Sequence, residues 1–348
     1  MYKGTGISKD QLSDDGEPCI LYGELYTKYK SETIREVISK TNIDNTKLVR
    51  SKANDVIIPC SGETAEDIAT ARCVLNGNIL LGGDLNIIRL HGYDGSFMSY
   101  QLNGKRKYDI AKVAQGVSVV HLYGDHLKGV KTYNPCLEEQ KKIAKLLSLI
   151  DERISTQNKI IDKLQSLIKG IRHDIFKDIQ GEALALSNIA DIYQPQTISS
   201  SDLTTEGYWV YGANGIIGKY KEYNHETEQI CITCRGNTCG TVNYTQPKVW
   251  ITGNSMVINT DKYQRQVNKR FLFHYLSSYN FKSIVSGSGQ PQIVRTPLEK
   301  TKVVLPTIEK QVRIANSIDI VSEKINTESL VLRLLENQKQ YLLRQMFI

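Results

Sequence analysis

The sequence contains one helix opening twice. Pro135, Glu138, Gln140, Ile143 and Ala144 recur as Pro306, Glu309, Gln311, Ile314 and Ala315, each 171 residues further along. The same offset carries an apolar series: Ile143, Leu147, Ile150, Ile154, Ile161, Leu164, Ile168 and Ile171 in the first copy, and Ile314, Ile318, Val321, Ile325, Leu332, Leu335 and Leu342 in the second. Steps of four and three alternate, which is the seam of a heptad repeat. Gln157 and Glu328 interrupt both copies at one matched position, and Lys339 stands where the first copy has Ile168. A proline opening each copy and glutamate in each first turn suit a helix start, where the macrodipole favours negative charge. Each helix could pack on a domain of its own, but a seam this long is better satisfied when the two pair with one another.

Length fixes the expected direction of that pairing. A helix of about 40 residues is roughly 60 Å long, whereas a domain of about 120 residues is some 35 Å across. The domain between the helices leaves the end of one and enters the start of the other, so parallel helices would force it to bridge their full length. An antiparallel coiled coil brings entry and exit to one end. The expected architecture is α+β: two repeated mixed α/β domains at 1–134 and 181–305, separated by spacer helices at 135–180 and 306–348, in a pseudo-two-fold dumbbell.

The globular parts repeat more loosely. Residues 55–64 lie over 229–238, and Leu81, Gly82, Gly83 and Asp84 over Ile251, Thr252, Gly253 and Asn254. Tyr22 and Gly23 match Tyr211 and Gly212, and Lys28 and Tyr29 match Lys219 and Tyr220. Short β-rich runs broken by Gly, Asn and Asp predict domains whose turns present the contact residues. Aligning Tyr2, Ile7, Ser8, Leu12 and Gly16 with Tyr193, Ile198, Ser199, Leu203 and Gly207 leaves 186–191 with no counterpart before Met1, so the first domain is expected to begin late.

A chain of 348 residues suits two cores, and an apolar fraction of 40% with 23% charged residues lacks any disordered signature. The net charge of +7 favours a polyanionic partner. Neither a signal-peptide start nor a membrane span is visible, which predicts a cytoplasmic protein. Seven cysteines without a secretion signal predict reduced, mostly buried thiols.

Three sites invite a catalytic or metal reading. Cys231, Cys234 and Cys239 suggest zinc, but Ile57 answers Cys231 in the first copy and no second pair completes four ligands. Asp55 and Glu63 resemble paired nuclease carboxylates, yet Glu63 aligns with Asn237; surface or turn roles are expected. Gly82, Gly83 and Asp84 match a cofactor turn weakly, and no polar-Pro-Pro-aromatic motif for a flipped adenine accompanies them.

The duplicated Pro-x-[Leu/Ile]-Glu-x-Gln-x-x-Ile-Ala opening, each time after a Gly-rich segment, resembles the specificity subunit of type I restriction-modification systems. Tyr211, Gly212, Ala213, Asn214 and Gly215 carry the resemblance in the second half, with Arg235, Gly236, Cys239, Gly240 and the run 286–293. Tyr22, Gly23, Glu24, Leu25 and Tyr26, then 114–118, carry it in the first. The resemblance implies that each domain reads one half of a split double-stranded DNA target and that the helices fix the gap. It implies two methylation subunits that bind S-adenosylmethionine, and restriction subunits that use ATP and Mg, with no cofactor on this chain. For DNA contact, hydrogen-bonding side chains and Gly-rich turns select Lys28, Tyr29, Ser118 and His121 in the first domain. In the second they select Asn214, Arg235, Asn237, Ser286, Gly287, Ser288, Gly289, Gln290 and Gln292. A protein-binding adaptor and an enzyme with an unrecognised site remain the rival readings.

Overall fold

The computed structural model describes every residue except Asn45, Thr46, Val117, Ser118, Asn214, Ser288 and Ile348. The chain divides into two compact units, one of Met1–Lys159 with Ser329–Ile348 and one of Ile160–Glu328. Each unit therefore owns a globular part and a piece of both long helices.

Those helices span Leu137–Lys177 and Ile308–Gln345. All the seam residues are buried or half-buried, including Gln157 and Lys339, while most positions between them are exposed. The prolines lie two residues before the helices rather than in their first turns, and the repeated glutamines show why the openings match. Gln140 donates from Nε2 to the Pro135 carbonyl (2.8 Å) and accepts at Oε1 from the Asp94 amide (2.9 Å). Gln311 does the same with the Pro306 carbonyl (2.9 Å) and the Asn268 amide (2.8 Å). Asp94 and Asn268 are themselves N-caps, accepting from the Phe97 and Phe271 amides, so each glutamine ties a long helix to the capped start of a shorter one, Gly95–Asn103 or Lys269–Ser278.

Each unit has a central sheet of its own with the same strand order. In the first unit the order is Tyr2–Lys3, Leu85–Ile88, Asp55–Pro59, Arg72–Val74 and Thr33–Ile34; in the second it is Asp191–Tyr193, Ser255–Asn259, Ile230–Thr233 and Val242–Tyr244. Register supports the match, since Tyr2 faces Ile87 as Tyr193 faces Val257. The alignment of the chain start also holds locally. Ser8 and Ser199 each build a capping box on a short 3-10 helix, and Gly16 and Gly207 both adopt positive φ, at 111° and 114°. Val56, Ile58 and Cys73 fill one face of the first sheet, Ile57, Val74 and Ile87 the other. The second unit packs Ile230, Ile232 and Ile258 against Phe271, Leu272 and Leu276.

The units part company in the smaller sheet. In the second, Tyr208–Gly212 turns directly into Gly215–Tyr220, with Trp209 opposite Lys219. In the first, the equivalent strands Glu17–Ile20 and Ser39–Thr41 pair with Pro18 opposite Lys40, and residues 21–38 intervene. The parallel partners fix the equivalence, because Cys19 and Ile20 face Leu80 and Leu81 as Val210 and Tyr211 face Trp250 and Ile251. Two expected matches are thereby corrected. Lys40, not Lys28, stands for Lys219, and Ile20, not Tyr22, for Tyr211. The intervening segment forms the helix Glu24–Thr27 and a fifth strand, Thr33–Ile34. Buried Arg72 holds it by donating to the carbonyls of Leu25 (3.1 Å) and Tyr29 (2.9 Å).

Candidate nucleic-acid interface

In the second unit, three loops far apart in sequence meet at one edge. The strand Ile230–Thr233 runs into a turn whose Arg235 bridges Gln292. The Ile293 amide donates to the Cys234 carbonyl and the Gly236 amide to the Pro291 carbonyl, both at 3.0 Å. This turn needs glycine, with Gly236 at φ 85° and Gly240 at φ 90°. The hairpin Val285–Ser286 with Gln292–Ile293 sits beside it, and Gly287 turns at φ 93°. The third loop arrives through Ala213, whose carbonyl accepts from Thr233 Oγ1 (2.6 Å) and Thr238 Oγ1 (3.0 Å). Arg235, Asn237, Ser286, Gly287, Gly289, Gln290 and Gln292 are all exposed there. Asn214 and Ser288 lie outside the described residues.

The first unit repeats the frame with other side chains. His121 pairs with Ser61 and with Gln115, and the Leu122 amide donates to the Cys60 carbonyl (2.7 Å), as Ile293 does to Cys234. Ser61 thus occupies the place of Arg235, and His121 that of Gln292. Ser61 Oγ donates to Asp84 (3.1 Å), whose counterpart is Asn254, while exposed Glu63 answers Asn237. The same backbone frame therefore carries carboxylates in one unit and amides with a guanidinium in the other.

Exposed His121 sits on this edge; Ser118 lies outside the described residues. Lys28 does not join them directly. Its ammonium is 2.6 Å from Glu24 and 2.9 Å from Ser39 Oγ, on the wall of a cleft of about 940 Å³ that Tyr22, Tyr26, Glu63 and Asp84 also line. Tyr29 is a core residue, 7% exposed, with its hydroxyl accepting from the Ile38 amide. Burial pushes its phenol up to about 12, so the ring serves packing rather than an outward surface.

Cys231 and Cys234 are buried, and burial pushes the Cys231 thiol up to about 12. Asp55 departs from its expected surface or turn role: it is buried in the sheet and accepts from Arg89 Nε (3.0 Å) and Nη2 (2.9 Å). Among the described residues no group of three His, Cys, Asp or Glu is placed to hold a metal, and no helix is long and apolar enough to cross a membrane.

Sequence reading overlooked Ser61 and Gln115, and the cross-strand pair of Trp209 and Lys219, where the ammonium lies 4.8 Å from the ring centroid. Asn214 followed by Gly215 was the available signal, since that dipeptide marks a tight hairpin and folding the flanks about it sets Trp209 opposite Lys219.

Comparison with known proteins gives one answer. Residues 174–336 match the type I restriction modification DNA specificity domain. The chain is 28% identical to the EcoprrI specificity subunit of Escherichia coli over 41% of its own length, and that match spans 36% of the relative. It is 25% identical to the MjaVIII specificity subunit of Methanocaldococcus jannaschii over 87% of this chain and 80% of the relative. The fold is similar to the S subunit of a type I restriction-modification system from M. genitalium, with TM-score 0.67 and 18% identity over 100% of this chain and 93% of that one. With the duplicated edge, these matches make the chain similar to type I restriction-modification specificity subunits, with a DNA specificity domain matched at residues 174–336.

Proposed function

We propose that this chain directs a type I restriction-modification complex to a bipartite DNA target, each unit reading one half. The duplicated edge carries this reading: one backbone frame, Ser61 with His121 and Arg235 with Gln292, presents two different sets of side chains. A shared frame with exchanged side chains is what two readers of different sequences need, because phosphate contacts position a protein while side chains at base edges specify. Lys28, His121, Arg235, Asn237, Ser286, Gln290 and Gln292 are the proposed contacts, with Gly287 and Gly289 allowing close backbone approach.

The long helices act as an antiparallel coiled-coil spacer that sets the gap. Within the first unit, Asp151 meets Lys339 while Leu147 clusters with Leu343, a contact order that supports opposed helix directions. The chain carries recognition and leaves chemistry to its partners: two methylation subunits with S-adenosylmethionine, and restriction subunits with ATP and Mg, in the cytoplasm.

Co-expression with the cognate methylation subunit followed by methylome sequencing tests the proposal. The expected result is methylated adenine in one split motif, with binding that weakens steeply as salt rises. Methylation without a split motif, or an isolated chain that methylates DNA with S-adenosylmethionine alone, would overturn it.

A further inference from the structure

Lys339 occupies the seam position held by Ile168 in the first repeat, and both side chains are buried. Its ammonium lies 2.5 Å from Glu32 Oε2 and 2.6 Å from Asp151 Oδ1, with all three side chains at most 10% exposed. The other Asp151 oxygen accepts from Tyr100 Oη and Ser31 Oγ, each at 2.7 Å. Both long helices, the intervening segment 21–38 and the helix Gly95–Asn103 thus converge on one buried ion cluster.

Apolar seam residues tolerate a neighbouring register, because a leucine displaced by one turn meets another apolar surface of similar area. A buried ammonium between two carboxylates does not. A slip of one turn, about 5.4 Å, carries it out of reach of both and leaves charges buried without partners. A lone polar residue in a coiled-coil seam selects register by this means.

We infer that Lys339 is the register key of the first unit: a positioning residue that fixes the second helix against the first and holds residues 21–38 on that register. The inference rests on the proposed reading of the chain as a specificity subunit only where it reaches DNA. Tyr22, Gly23, Glu24, Tyr26, Thr27 and Lys28 of the held segment line the cleft shared with Glu63 and Asp84, so register and reading edge are mechanically joined. A single helix register then yields a single gap between half-sites.

The test uses the full chain with Lys339→Ile, Glu32→Gln and Asp151→Asn together, which removes the ammonium and both carboxylates that hold it and leaves buried Arg72 on the carbonyls of Leu25 and Tyr29. Spin labels on exposed Lys145→Cys and Arg344→Cys, with exposed Cys136→Ser, report helix register. Methylome sequencing of the co-expressed complex reports the gap. Wild type is expected to give one distance and one gap. The triple variant should add a second distance population and methylated sites whose gap differs by about one or two base pairs, since one helical turn spans roughly 1.6 pairs. A folded triple variant with one distance and the wild-type gap overturns the inference. Should that variant not fold, Glu32→Gln alone decides: it keeps the Lys339–Asp151 pair and is expected to speed amide exchange at least tenfold across 21–38, and unchanged exchange there overturns the inference. A wild-type complex with one helix distance but no split motif would instead sink the specificity-subunit reading and leave the register claim standing.

Discussion

The two units solve the junction between globular part and long helices with opposite charge. In the first, a cation from the second helix, Lys339, is held by the carboxylates of Glu32 and Asp151. In the second, an anion from the same helix, Asp319, takes both Arg270 Nε (3.0 Å) and Nη2, and lies 2.8 Å from His274 Nε2. His274 Nδ1 faces Arg172 of the first helix at 2.9 Å. Arginine can only donate, so Nδ1 accepts and Nε2 donates to Asp319, which requires a neutral imidazole. Duplication therefore conserved the glutamine ties at Gln140 and Gln311 and let the buried polar contacts diverge. The backbone frame constrains where a junction forms, not which charge sits at its centre.

Titration should separate the units in opposite directions. Burial depresses Lys339, but Glu32 and Asp151 outweigh it and hold its pKa above the ordinary value. That contribution is present below the unfolded pKa near 10.4 and is lost as pH rises through the folded value. Burial drives His274 down to about 4, with Asp319 opposing the shift and Arg172 adding to it. Between about pH 6.5 and 4 the unfolded state binds more protons at His274, so stability falls with pH in that window. His225, also pushed down to about 4 by burial, acts in the same unit and with the same sign.

The largest expected effect comes from Asp319→Ala, which removes the carboxylate facing Arg270 and His274 and strands a partly buried guanidinium. The cost should be on the order of 3 kcal/mol in the second unit. Amide exchange of Lys269–Ser278 measures it, and protection equal to wild type would mean that the ion cluster is a bystander. Acidification from pH 6.5 to 4 should cost the second unit about 3 kcal/mol through His274 alone, at 1.36 kcal/mol per pKa unit. Exchange in the second unit should rise first, and His274→Gln should reduce that response, leaving the share due to His225; equal acid sensitivity in both units would break the comparison. Alkali above about pH 10.5 should loosen the first unit through Lys339 and spare the junction at Asp319. The smallest effects belong to the shared feature. Gln140→Ala and Gln311→Ala each leave a backbone amide without its acceptor and should cost about 1–2 kcal/mol apiece, read as lost protection at Asp94 and Asn268. Unequal costs would show that the matched glutamines are not equivalent.

The sequence alone determined whatever depends on local periodicity and on repetition. Alternating steps of four and three placed two long helices to within a few residues, because a seam is a property of neighbours along one chain. The repeats at 55–64 and 229–238 marked the paired sheet strands. Tertiary structure decided the rest. Tyr29 resembled Tyr220 in sequence, yet it belongs to a segment with no counterpart in the second unit and turns into the core. Ser61 drew no notice as a lone serine until backbone pairing set it beside His121. Lys339 read only as a flaw in the seam, since nothing near it along the chain reveals that Glu32 and Asp151 wait at its tip. Ion pairing of a buried charge is chosen among groups that packing brings within about 3 Å, and separation along the chain carries no information about that distance.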